Sequence, residues 1–157
     1  MPSLSTLMTG PLEAAGVLPI CRTTNRMCFL WRSPEIKMGN LWGTAGGKME
    51  DDENPIQCAE REFREETGYS GPIRLIPSYT YESDKLIYHN FLGVVNEEFP
   101  FHPKSFEFAQ EHTRMEWMSW LEFCARLDAN MQNFHPGIVE FFYHSQDEIK
   151  KLLRYSS

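Results

Sequence analysis

Apolar residues follow two different rhythms along the chain. Ala14 to Cys21 is an almost unbroken apolar run and Met27 to Arg32 another, with the polar Thr23-Thr24-Asn25-Arg26 between them. That pattern predicts two buried strands joined as a hairpin. Residues 33 to 40, with Pro34, Gly39 and Asn40, read as a loop leading to a short segment, Leu41 to Ala45, that ends at a Gly46-Gly47 turn. Beyond Asn54 the spacing changes to three and four: Ile56, Ala59 and Phe63 fall on one helical face and are expected to meet a core together. Asn54 is the predicted N-cap, Pro55 the first helical residue and Gly68 the left-handed stop. Strands follow near Ile73 to Tyr81 and Leu86 to Val95, with Glu82-Ser83-Asp84-Lys85 as their turn. A polar loop spans roughly 96 to 105, and the stretch around 105 to 112 carries neither rhythm. Thr113 to Met118 reads as a strand, Leu121 to Leu127 as a short helix and Gly137 to Leu153 as an amphipathic helix. Strands and helices alternate without a regular βαβ beat and at least two strand pairs are hairpins, so the expected fold is a mixed α+β sandwich.

Composition narrows the function classes. With 157 residues, 41% hydrophobic and 24% charged, the chain suits one globular domain over residues 1–157. Its formal charge of -7 and lack of any Lys/Arg run argue against a duplex nucleic acid as partner. An acidic protein that handles phosphates needs cations at its site, and a bound metal supplies them. Cys21, Cys28, Cys58 and Cys124 form no metal or redox spacing, so free thiols in a reducing compartment are expected. The uncharged leader lacks a basic start and a continuous apolar stretch, and no segment reaches the roughly 18 apolar residues of a membrane span. These features predict a cytoplasmic protein, monomeric or homodimeric, with no membrane partner.

The candidate chemistry lies in GKMEDDENPIQCAEREFREETGY, Gly47 to Tyr69. Glu62, Glu65 and Glu66 stand at i, i+3 and i+4 of the predicted helix, about 5 to 6 Å apart at Cβ, where like charges repel by roughly 0.2–0.5 kcal/mol per pair. A hard divalent cation offsets that repulsion through carboxylate oxygens, leaving positions for water and substrate phosphates. Arg61 can pair along the helix or hold a metal-binding carboxylate in place. The glycine pair, read as a turn, would let backbone carbonyls approach the metal. A solvated acidic face explains most glutamate-rich helices, and an EF-hand is the other acidic-cluster reading. Within Asp51 to Glu62, however, Pro55 would occupy a ligand position and Ile56 the place that needs glycine.

The spacing itself is more specific than either alternative. The segment fits G-x5-E-x7-R-E-U-x-E-E-x-G-U at Gly47, Glu53, Arg61, Glu62, Glu65, Glu66 and Gly68. At average residue usage a chance match somewhere in the chain is on the order of one in a million. This sequence resembles the Nudix hydrolase family, with Phe63 and Tyr69 at the aliphatic positions and Thr44-Ala45 where many members carry proline. The resemblance implies a Nudix α/β/α sandwich and Mg²⁺-dependent hydrolysis of the diphosphate in a nucleoside diphosphate linked to another group, with Mn²⁺ as a substitute. Carried over by position, Glu62, Glu65 and Glu66 are metal ligands with the Gly46 carbonyl as an addition. Arg61 orients a glutamate, and Glu53 supports the loop or a second metal. A further carboxylate often comes from a loop before a late tryptophan-bearing strand; Glu111 is the candidate for that extra ligand or general base, and Glu107 the reserve. The catalytic set is then Glu65, Glu62, Arg61 and Glu111.

The remaining residues are less informative. His89, His102, His112, His135 and His144 show no metal-site spacing and read as structural or surface groups. Tyr79, Tyr81 and Tyr88 read as sheet residues of which one could stack on a base, and Trp31, Trp42, Trp117 and Trp120 as core or rim. ADP-ribose, dinucleoside polyphosphates, nucleotide sugars, NADH and (d)NTPs are all candidate substrates. No NADH-type array follows the box, and the short chain leans towards a nucleoside triphosphatase. The competing reading is a nucleotide-sensing module without catalysis, which the intact set of box carboxylates disfavours.

Overall fold

The structure, a computed structural model, describes residues 10–154; the reading of the leader lies largely outside them. The strands are β1 (Leu12–Cys21), β2 (Arg26–Arg32), β3 (Trp42–Gly43), β4 (Ala45–Lys48), β5 (Arg74–Glu82), β6 (Leu86–Val95) and β7 (His112–Ser119). The helices are α1 (Pro55–Thr67), α2 (Phe106–Glu111), α3 (Trp120–Ala129) and α4 (Pro136–Leu152), with a 3-10 turn at Met131–Asn133. Among the described residues no helix is long and apolar enough to cross a membrane.

The strands form one mixed sheet organised by β1. Along its whole length β1 pairs parallel with β6, from Leu12↔Leu86 to Cys21↔Val95. On its other edge the first half pairs antiparallel with β4, from Ala14↔Lys48 to Val17↔Ala45, and only its end pairs with β2. Released from β1, β2 continues against β7 on one side and β3 on the other. Being central, β1 buries both faces, which is why it reads as a continuous apolar run. Leu18 and Ile20 enter a core with Phe123, Phe141, Phe142 and Ile149 of α3 and α4. Ala15 and Val17 enter a second core with Cys58, Ala59 and Phe63 of α1. The result is the expected sandwich with helices on both faces.

Local chemistry fixes α1. Asn54 Oδ1 accepts from the Gln57 amide at 2.9 Å and Gln57 Oε1 accepts from the Asn54 amide at 3.0 Å, a reciprocal cap. Gly68 ends the helix at φ 79°, and its α-carbon packs so closely on the His102 carbonyl that no side chain fits. Two helix-end carbonyls then find partners in the following loop: His102 donates to Thr67 O at 2.9 Å and Lys104 to Glu65 O at 3.0 Å. The loop is thereby stitched to the end of α1 that carries the carboxylates.

Three sequence expectations change. Ile56 is 42% exposed, and the buried stripe of α1 is Cys58, Ala59, Phe63, Glu66 and Thr67. Side chains of a helix lean towards its N-terminus, so Ile56 in the first turn points off the end of the packed surface. The stretch around 105 to 112 contains helix α2, nucleated by Ser105, whose hydroxyl accepts from the Phe108 amide at 3.4 Å. Gly46 and Gly47 are not a turn: they lie within β4, opposite Gly16 and Ala15.

Candidate active site

Arg61 ties the carboxylates together. Its Nε and Nη2 donate to the two oxygens of Glu53 at 2.5 and 3.0 Å, and Nη1 donates to Glu62 at 3.0 Å and Glu65 at 3.2 Å. Nη2 also donates to the Lys48 carbonyl at 3.1 Å. The planar fork suits this bidentate grip, which a lysine ammonium cannot reproduce. Arg61, with help from the Glu50 amide, holds the Glu53 carboxyl down to about 2. Glu53 anchors the loop before α1 through these contacts, while Arg61 sets the positions of Glu62 and Glu65.

Glu66 is 1% exposed, and its carboxylate lies between backbone and side chains. Oε2 accepts from the Gly46 amide at 2.7 Å, and Oε1 stands 4.0 Å from His112 Nδ1. Burial pushes the Glu66 carboxyl well above the usual range, and the charges on Glu62 and Glu111 add to this against the opposing pull of the Gly46 amide. Burial also raises Glu62, against the opposing pull of Arg61. Glu66, Glu111 and His112 offer ligand atoms within 4.8 Å of one another. Acidic groups this close and this buried are the donor set that a divalent cation stabilises, so the residues fit a metal.

The fold therefore gathers Gly46, Arg61, Glu62, Glu65, Glu66 and Glu111 at one end of α1. Glu107 is exposed. For Gly46 the contact observed is its amide on Glu66. The reason for glycine at 47 is also spatial: a Cβ there would overlap both oxygens of Glu62. His112 joins the cluster without any spacing signal, because it pairs across β2 with Arg32 and only the β2–β7 register brings it there.

Beside the carboxylates lies a cavity of about 400 Å³ walled by Tyr79, Tyr81, Leu86, Tyr88 and Ile138, with Arg32, Asn90, His135 and Glu140 as polar groups. Burial raises the Tyr88 hydroxyl, and the charge on Glu66 adds to this. Tyr79 donates to Glu140 at 3.0 Å and stacks on His144 at 4.2 Å, so its ring is held in place. Arg32 donates to the Met38 and Lys37 carbonyls at 2.8 and 2.6 Å, leaving its charge within range of Glu66 and Glu111. The tyrosines thus serve the cavity as well as the sheet. Their alternation in β5 and β6 was visible in sequence; that both strands turn them to the same side as α4 was not.

The Tyr88 hydroxyl occupies the space where a side chain at Gly16 or Gly46 would sit. Gly46→Ala should therefore destabilise the fold by about 1–3 kcal/mol through overpacking, read as a lower Tm. Tyr88→Phe should recover only part of it, since the Ala15 carbonyl would still lie 2.8 Å from the new methyl.

A helix-covered mixed sheet with this glutamate helix packed on the face of its central strand defines the class. The chain belongs to the NUDIX domain family, whose model matches residues 10–142. A relative named 8-oxo-dGTP diphosphatase, from Proteus vulgaris, is 44% identical over 55 residues, 35% of this chain and 47% of the relative. The chain thus matches about half the length of that relative. The fold is similar to a NUDIX hydrolase from Nitrosomonas europaea, with TM-score 0.62, 18% identity, and 85% and 87% of the two chains covered. It is also similar to a C. elegans Ap4A hydrolase, with TM-score 0.57, 17% identity, and 92% and 93% covered.

Proposed function

We propose that this protein is a Mg²⁺-dependent hydrolase of the diphosphate linkage in a nucleoside diphosphate linked to another group. The observation that carries the reading is the Arg61-held pair Glu62 and Glu65 standing beside buried Glu66 and inward-facing Glu111, next to an aromatic-walled cavity. Glu62, Glu65, Glu66 and Glu111, with Gly46, would hold the cation; Mn²⁺ would substitute. When bound, Mg²⁺ would neutralise charge gathering on the phosphate oxygens and make water a better nucleophile.

The chain's own residues then have definite tasks. Water adds to one phosphorus while Glu111 or Glu65 accepts its proton, and the bond to the bridging oxygen breaks so that the second phosphate leaves. Arg61 keeps Glu62 and Glu65 in position throughout. Tyr79, Tyr81 and Tyr88 offer faces for a planar base, and Arg32 is a cation that lines the cavity within electrostatic range of Glu66 and Glu111. Four free cysteines suit a reducing, cytoplasmic setting.

Among substrates a nucleoside triphosphate is favoured, in keeping with the name of the Proteus relative. Incubation with Mg²⁺ and a panel of (d)NTPs, 8-oxo-dGTP, ADP-ribose and dinucleoside polyphosphates, with released phosphate measured after phosphatase treatment, tests both activity and class. Turnover of none would refute catalysis.

Within this reading Glu111→Gln should lower kcat with a smaller effect on KM, because the lost contact belongs mainly to the transition state. Glu107→Gln should be nearly silent, since that side chain is exposed. Steady-state kinetics on both variants check this. A large loss for Glu107→Gln with none for Glu111→Gln would exchange their roles.

A further inference from the structure

His112 is the buried group for which the reaction just described has no use. Its ring is 3% exposed, and neither Nδ1 nor Nε2 has a hydrogen-bond partner. Buried imidazoles are normally fixed by a carbonyl, a carboxylate or a metal. This one lies at the first residue of β7, directly after Glu111, with Nδ1 4.0 Å from Glu66 Oε1. That oxygen is the one the Gly46 amide leaves free, because the amide takes Oε2.

Two carboxylates and an imidazole therefore converge. One nitrogen of His112 and one oxygen each from Glu66 and Glu111 lie within 4.8 Å of one another. Ligand atoms around a tetrahedral Zn²⁺ stand roughly 3.3–3.4 Å apart at bonds of about 2.0–2.1 Å, so an inward shift of each side chain by about 1 Å would bring all three onto one cation. Oxygen ligands alone suit Mg²⁺, whereas an imidazole shifts preference towards Co²⁺ and Zn²⁺.

We infer that His112, Glu66 and Glu111 form a mixed nitrogen–oxygen site that takes a borderline divalent ion of the Co²⁺–Zn²⁺ class. The inference rests on the cation-binding reading of Glu66 and Glu111 but not on Mg²⁺ being the ion or on catalysis. It gives the unpaired ring a metal ion as its partner and makes the centre able to discriminate between metals.

The test is metal binding by the full chain. Co²⁺ titration followed by visible absorption and calorimetry should show binding to wild type, and His112→Leu should weaken it on the order of 10- to 100-fold or more. Mg²⁺ affinity, measured in parallel, should change little, because its ligands are the carboxylates. The Tm of metal-free His112→Leu should not fall, since the substitution removes two unpaired nitrogens from the interior. Co²⁺ binding of wild-type strength and spectrum in a folded His112→Leu would overturn the inference. A second measurement needs no variant. With ¹⁵N-labelled histidine in wild type, Zn²⁺ should shift one ring nitrogen of His112, assigned through bonds, and an unmoved ring at zinc saturation would equally overturn it. Co²⁺ binding through His112 without any Mg²⁺ binding would uphold this site and refute the Mg²⁺ reading. Failure of wild type to bind either ion would refute both.

Discussion

Glu66→Gln is expected to remove most turnover, with kcat falling on the order of 10²–10³-fold, while the fold survives intact. Glutamine retains the carbonyl oxygen that accepts from the Gly46 amide at 2.7 Å, so β4 and α1 stay joined. What it removes is a carboxylate held in a site where burial and the neighbouring Glu62 and Glu111 disfavour its charge. The metal-free variant should therefore melt no earlier than wild type. The signature lies in the difference between metal-free and metal-bound Tm. Mg²⁺ at about a hundred times its Kd should stabilise wild type by roughly 2.7 kcal/mol, and the variant should lose most of that gain. Near wild-type kcat at saturating Mg²⁺, with an unchanged far-UV spectrum, would show that Glu66 is not a ligand. Glu65→Gln should behave alike in activity.

Arg61→Ala should act on both stability and rate. The guanidinium engages Glu53, Glu62, Glu65 and the Lys48 carbonyl at once, so its removal leaves three carboxylates without their counter-charge. Activity should fall by about 10- to 100-fold, as expected when the group that orients metal-binding carboxylates is lost, and the Tm should drop. Arg61→Lys should rescue little, since a single ammonium cannot reach two oxygens of Glu53 and two further glutamates together. The pH dependence carries a sign. Glu53 titrates at about 2 when folded, against an ordinary 4.5, so the stability it contributes is fully present above 4.5 and lost as pH falls towards 2. Acid unfolding of wild type should show that loss across this window, and Arg61→Ala should show much less of it. Tm measured from pH 5 to 2 on both proteins checks the prediction, and parallel acid limbs would exclude the Arg61–Glu53 pair as its source.

The linear sequence carried the strands β1, β2, β5 and β6, the helix α1 with both of its caps, and the carboxylates Glu62, Glu65 and Glu66, because these depend on local spacing. A capping box, a left-handed glycine and a helical i, i+3, i+4 cluster are each complete within a few residues. Glu111 was legible more loosely, by its distance from Trp117, while helix α2 that presents it was not, since six residues capped by one serine leave no periodic trace. Gly46 and Gly47 read as a turn in the sequence, because a glycine pair looks the same whether it bends the chain or makes room, and lie within a strand in the fold. Only the pairing of β4 with β1 reveals that the Tyr88 hydroxyl and the Glu62 carboxylate fill the space their side chains would occupy. His112, Arg32 and the tyrosine-lined cavity were likewise decided by tertiary structure. The cavity is assembled from β2, β5, β6 and α4, which lie far apart in the chain, and whether a β residue faces the site or the opposite core depends on strand register, where a one-residue slip reverses every side chain.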